Sequence, residues 1–247
     1  MLNWSHYATG CAPFLARVNK ILPTVVLVHG AWHGGWCWRE LTPYLTRGGF
    51  AFRTVDLPSV GPKRGQAVDL SADAAVVRST LRSISGPVIL CGHSYGGMVI
   101  SLAASGESNV EQLVYICAYV PDSGQSLTDA RVGKRAQWIR MLDGGLTFPD
   151  LDQAAELFFA DCDPATQLWA TRQLKPQSNA AFEEPVPTPA WQSIPSTYVV
   201  CANDMAIAPS TQREVFATRT SKVVELDSSH SPFLSKPAEL TDVILTR

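Results

Sequence analysis

A chain of 247 residues, 46% hydrophobic and 17% charged with a formal net charge of −2, is too apolar for disorder and carries no electrostatic footprint for nucleic acid or an anionic membrane. The length fits one large α/β domain with an insertion, or two small domains, with ample material for a buried core. A small, roughly neutral organic substrate suits this balance, and no stretch approaches the ~18 apolar residues of a membrane span.

The first twenty residues, MLNWSHYATGCAPFLARVNK, lack a basic start followed by a sustained apolar run and do not read as a signal peptide. The six cysteines (Cys11, Cys37, Cys91, Cys117, Cys162, Cys201) form no CxxC pair and no metal-ligand spacing with histidine. Cys91, Cys117 and Cys201 sit at the ends of apolar runs, where cysteine is a small buried hydrophobe. A reduced, cytoplasmic protein is the corresponding expectation.

The first expected strand is Thr24–Val28 (TVVLV), short and β-branched, and it runs into His29-Gly30-Ala31-Trp32. A tetrahedral oxyanion needs two donors, and the Ala31 amide in this loop is a natural one, with Gly30 letting the backbone come close. His29 and His33 read as hydrogen-bonded structural residues. A second strand, Phe52–Val55, precedes Asp56, which anchors its own loop. Leu70, Ala74, Val77, Leu81 and Ile84 then line one face of a helix that Gly86-Pro87 ends.

The third strand, Val88–Cys91, opens directly onto Gly92-His93-Ser94-Tyr95-Gly96, and a helical pattern over Met98–Ala104 follows. A nucleophile lifted off a strand end must occupy a very tight turn. A Cβ two residues before or after it would collide with the neighbouring strand or helix, so both places call for glycine. Ser94 is therefore the candidate nucleophile, and the Tyr95 amide the second oxyanion donor. His93 reads as structural. The fourth strand is Gln112–Ile116.

From about Asp122 to Ile194 no good strand is found. Two helices are expected, Leu151–Ala160 (with Leu151, Ala155 and Phe158 in register) and Pro164–Leu174 with Asp163 as N-cap, then a Pro-rich connector, EEPVPTPAW. The division is a core of residues 1–121 and 192–247 with a helical cap, 122–191, over the carboxyl ends of the strands. Trp32, Trp138, Phe158, Phe159 and Trp169 are candidates to line a pocket beneath it, or else to serve as plain core packing.

The fifth strand, Thr197–Cys201, is followed by Asn203-Asp204. A helix begins at Pro209, and the sixth strand, Lys222–Leu226, leads into Asp227-Ser228-Ser229-His230 before a C-terminal helix. Of the five histidines only His230 follows Ser94, as the order Ser, acid, His requires. Asp204 is the expected acid, orienting the imidazole and stabilising the imidazolium; Asp122 is the rival, with Asp227 behind it. Strands separated by helices give an α/β fold with a mostly parallel sheet of about six strands, helices on both faces. No metal or organic cofactor is called for.

VVLVHGAWHGGWCW, VDLPSVG, GHSYGG, VVCANDMAIAP and SSHSPFLSKPAEL together resemble the α/β-hydrolase superfamily. More narrowly, they resemble its small-cap branch of plant methyl esterases, hydroxynitrile lyases and related bacterial esterases. The resemblance runs from about Thr24 to the end and is weakest in the cap. It implies a serine esterase cleaving a small carboxylic ester. The lyases of that branch carry a threonine after the first-loop histidine and a lysine after the catalytic one. Gly30 and Ser231 stand here, which disfavours cyanide chemistry. Acyltransferase, perhydrolase and receptor-like ligand binding are the other functions the fold admits. Oligomeric state is not legible.

Overall fold

The computed structural model describes residues 21–63, 65–133 and 136–246. The N-terminal segment and Cys11 lie outside these. Six strands, β1 (Thr24–Val28), β2 (Phe52–Val55), β3 (Val88–His93), β4 (Val110–Ile116), β8 (Ser196–Cys201) and β9 (Lys222–Leu226), form one sheet in the order β2-β1-β3-β4-β8-β9. All five pairings are parallel. Every residue of β3 and β8 is buried, as strands covered on both faces require, while the edge strand β9 alternates between half-buried and exposed.

The order of strands fixes where a site can form. The chain lays β2 on one side of β1, then crosses to place β3 on the other side and builds outward from there. The carboxyl ends of β1 and β3 therefore flank the point where the winding reverses, and the loops leaving them part to leave a crevice.

Around the sheet, helix Leu70–Arg82 packs on Gly96–Ala103, and Thr42–Arg47 packs on Pro237–Leu245. Leu70, Ala74, Val77 and Leu81 form the buried face of the first of these, as their spacing requires. Ile84 lies beyond its last residue, Arg82, and packs half-buried on the core.

Between β4 and β8 lie the helices Leu151–Phe159 and Pro164–Gln173, and the Asp163 carboxylate caps the second by accepting from the amides of Ala165 and Thr166. In the first, the buried residues are Ala154, Leu157, Phe158 and Phe159. Leu151 is exposed, so the expected stripe through Leu151 and Ala155 is shifted by about one residue. The segment also carries an antiparallel sheet that the sequence reading left out: β5 (Ile139–Leu142), β6 (Leu146–Pro149) and β7 (Gln177–Ser178). The hairpin turns at Asp143-Gly144-Gly145, where both glycines have positive φ, 78° and 74°; an Asp-Gly pair between short apolar runs is a hairpin signal. Among the described residues no helix is long and apolar enough to cross a membrane, and the five described cysteines are free.

Candidate active site

The turn after β3 has the geometry that its glycines imply. Ser94 is held at φ 51°, a left-handed conformation that costs a non-glycine residue on the order of 1 kcal/mol or more. It is over-determined by three backbone bonds: its amide donates to Ile116, and its carbonyl accepts from Gly97 and Tyr119. A Cβ on Gly92 would lie 2.6 Å from the Gly96 carbonyl oxygen, and one on Gly96 would lie 2.7 Å from that of Val28. Gly97, which the sequence reading did not single out, is tighter still: a Cβ there would collide with the Tyr119 carbonyl oxygen.

Two buried groups meet at the far end of the sheet. His230 Nδ1 lies 2.6 Å from Asp204 Oδ2, and both side chains are almost wholly removed from solvent. Asp204 follows β8 directly, and its carboxylate is saturated. Oδ1 accepts from the amides of Ala206 and Ile207 at 2.7 and 2.9 Å, and Oδ2 accepts from Gln212 Nε2 at 2.8 Å as well as from the imidazole. The His230 carbonyl accepts from His93 Nε2 at 2.9 Å and from the Cys117 thiol at 3.3 Å. Asp122 and Asp227 lie elsewhere. Asp122 pairs with Arg219 at 2.5 Å, and Asp227 accepts from Asn203 at the surface.

Ser94 and His230 border one cavity of about 320 Å³, with Ala31 and Tyr95 in the same wall. Among the described residues neither the Ala31 nor the Tyr95 amide has an intramolecular acceptor. Trp32, Trp138 and Phe158 line the cavity; Phe159 and Trp169 do not. Phe159 faces His33 in the core, and Trp169 turns outward, edge-on to Trp36 with the Arg39 guanidinium over its ring. Helical phase explains Phe159: it follows Phe158 by about 100° around the axis, so only one of the pair can face the cavity.

Sequence reasoning missed the supports behind these groups. Trp32, beside Ala31, has φ 63° and is pinned by the insertion. Its amide donates to Gln177 Oε1 at 3.0 Å, its carbonyl accepts from the Lys175 amide, and its indole N–H donates to Thr147. Gln177 continues through Ser59 to the buried Asp73, which also accepts from the Tyr95 hydroxyl at 2.7 Å. One chain of hydrogen bonds thus joins the loops carrying the two free amides. On the other side Asp161 accepts from the amide and hydroxyl of Ser229, next to His230.

Among the described residues the remaining histidines, His29, His33 and His93, are held by hydrogen bonds within the fold. His29 Nε2 accepts from the Leu57 amide while its Nδ1 faces the Gly30 carbonyl, and His33 Nδ1 bonds the Ala31 carbonyl. Burial lowers His29 to about 4 and His33 to about 3, and depresses His93 as well. His93, Cys117 and His230 are the one group among the described residues whose possible metal-binding atoms cluster within 4.8 Å; hydrogen bonds within the fold engage His93 Nε2, the Cys117 thiol and His230 Nδ1, while His93 Nδ1 has no partner.

These shifts set an acid limit on stability. Unfolded histidines protonate near 6.5 and the buried ones only well below, so the unfolded state binds more protons in between and stability falls as pH drops through that window. At pH 5 His29 and His33 should each cost about 2 kcal/mol. Asp73 works the other way: burial raises it to about 6, so acidification from 6 to 4 relieves it, by about 1 kcal/mol at pH 5. Histidines win by number. Urea unfolding should therefore give a clearly lower free energy at pH 5 than at pH 7; equal values would contradict the buried neutral assignment.

A model described as the alpha/beta hydrolase family matches residues 25–243. The chain is similar to a carbendazim hydrolyzing esterase of Nocardioides sp. (strain SG-4G), 36% identical over 65% of this chain and 72% of that protein. It is also similar to methyl jasmonate esterase 1 of Vitis vinifera, 27% identical over 87% of this chain and 92% of the relative. Among solved structures, a pyrethroid hydrolase from Sphingobium faniae JZ-2 superposes with a TM-score of 0.79 at 26% identity, covering 90% of this chain and 95% of the other.

Proposed function

The chain belongs to the alpha/beta hydrolase family, and on that footing we propose that it is a serine esterase cleaving a small carboxylic ester through Ser94, His230 and Asp204. The observation that carries this reading is the buried His230–Asp204 pair at 2.6 Å bordering the cavity into which the left-handed turn at Ser94 opens. Two relatives named as esterases support it.

In the proposed cycle His230 takes the Ser94 hydroxyl proton as Oγ attacks the ester carbonyl. The amides of Ala31 and Tyr95 receive the charge that develops on the carbonyl oxygen. His230 then gives its proton to the departing alcohol. Water, deprotonated by the same imidazole, attacks the acyl-enzyme; the acid leaves, and Ser94 recovers its proton. Asp204 holds the imidazole by Nδ1 throughout. Residues 122–191 serve as the cap, and Trp32, Trp138 and Phe158 as its apolar lining. A lyase reading is weaker, because Gly30 and Ser231 stand where the lyases of the branch carry threonine and lysine.

Intact-mass spectrometry after a fluorophosphonate probe tests the reading. A single adduct on the wild type, absent from Ser94→Ala, is expected. No adduct on folded wild-type protein would move the balance to a ligand-binding function.

A further inference from the structure

The cavity wall is apolar on most sides, yet it contains one permanent charge among the described residues. That charge is Arg131, and no carboxylate shares the wall with it. The Arg131 Nε is buried and has no hydrogen-bond partner, and neither has the buried hydroxyl of Thr128, another residue of the same wall. The two stand three residues apart on one turn, at the end of helix Leu127–Ala130, which Ser126 and Asp129 fix through a reciprocal capping box. The nearby acids are committed elsewhere: Asp129 accepts from Ser126, and Asp122 pairs with Arg219.

Buried polar groups are satisfied in the great majority of folds, and an orphaned guanidinium N–H is among the costlier exceptions. Here two orphans belong to side chains that both border one cavity. A neutral acceptor would satisfy the threonine hydroxyl. A fixed cation facing no acid selects for an anion, and a guanidinium matches a planar carboxylate.

We propose that Arg131 and Thr128 form a carboxylate subsite of this cavity, so that the preferred substrate is a half-ester, a small ester carrying a second, free carboxylate. This rests on the esterase reading and narrows it. At about 320 Å³ the cavity is at the small end of ligand pockets (~300–1,000 Å³), which favours a short dicarboxylic skeleton. The near-neutral charge of the whole chain is no guide to this preference, since the cavity sees a local cation and the surface sees the average.

The test compares monomethyl succinate, glutarate and adipate with their dimethyl esters. These pairs differ by one methyl group and one charge. The wild type should favour the half-ester of at least one length in kcat/KM by about 10- to 100-fold, the worth of a charge-assisted hydrogen bond away from water. Arg131→Met should bring that ratio close to one, chiefly by raising KM for the half-ester. Arg131→Lys should keep part of it, and Thr128→Val should reduce it about 5-fold. A wild type that prefers the diester at every length overturns the proposal, as does an Arg131→Met variant that loses both substrates in parallel. Should no ester turn over, calorimetric titration of Ser94→Ala with monomethyl and dimethyl adipate decides separately. Tighter binding of the half-ester that needs Arg131 upholds the subsite while the esterase reading falls; equal binding overturns the subsite too.

Discussion

Ser94→Ala should lower ester turnover by about six orders of magnitude while moving the thermal midpoint by only a few degrees. The size follows from the absence of a substitute nucleophile near His230. Among the described residues the other aliphatic hydroxyls in the cavity wall, Thr128, Thr147 and Thr211, are secondary alcohols on the insertion and after β8, away from the tight turn that presents Ser94, and burial pushes the Tyr119 phenol up to about 12. Tyr95 has its hydroxyl tied to Asp73, and burial pushes both this phenol and the Cys117 thiol well above their ordinary pKa values. Neither supplies an anion near neutral pH. The residual rate would come from the Ala31 and Tyr95 amides acting on attack by water, typically 10³–10⁴-fold above solution, about what removal of a triad member leaves. Stability should be nearly unchanged because the backbone bonds holding residue 94 at positive φ do not involve its side chain. Initial rates on a nitrophenyl ester, with a thermal melt of the same preparation, check both halves. A variant retaining even one hundredth of wild-type turnover would remove Ser94 from the chemistry.

The parts of this molecule that could be read from the sequence are those specified by neighbours along the chain. Thr24–Val28, Phe52–Val55 and Lys222–Leu226 occupy the residues that their β-branched runs mark out. Gly92 is legible for the same reason, since a Cβ there would meet the Gly96 carbonyl inside the five-residue turn, whereas Gly96 is constrained by Val28 and His29 at the end of β1 and is legible only through the motif. Gln177, Asp161 and Asp73 were illegible because their partners are remote. Gln177 reaches Trp32 across 145 positions, and Asp161 reaches Ser229 across 68. Nothing local distinguishes such a glutamine from a solvated one. Arg131 and Thr128 were missed on the same ground, since being without a partner is a property of the fold alone. The insertion's small sheet failed for another reason. Its strands are four, four and two residues long, too short for alternation to register, and only the Asp143-Gly144 turn marked it.

Asp204→Asn should cost about 10⁴-fold in kcat, the loss known for this substitution in a well-studied triad, and the hydrogen bonds here say why no rearrangement rescues it. The carboxylate accepts four bonds, two on each oxygen. An asparagine must present an NH₂ on one side. Placed at Oδ1, it would face the amides of Ala206 and Ile207, donor against donor. Placed at Oδ2, it would face His230 Nδ1 and drive the imidazole to the tautomer with its proton on Nε2, where it can no longer accept from Ser94. Gln212 cannot turn round to help, because its Oε1 accepts from the Cys201 amide while its Nε2 also donates to the Ile207 carbonyl. Either orientation leaves buried donors unpaired and should lower stability by about 1–3 kcal/mol as well. Asp122→Asn is the counterpart: it breaks a half-exposed pair with Arg219 and should alter kcat less than about 3-fold. Steady-state rates of the two variants, with the low-field proton resonance of His230 as a direct readout of its partner, separate the alternatives. Near-normal turnover in Asp204→Asn together with collapse in Asp122→Asn would transfer the acid's role to the end of β4. The reverse, with the low-field resonance lost only in Asp204→Asn, ties the imidazole's basicity to the saturated carboxylate after β8.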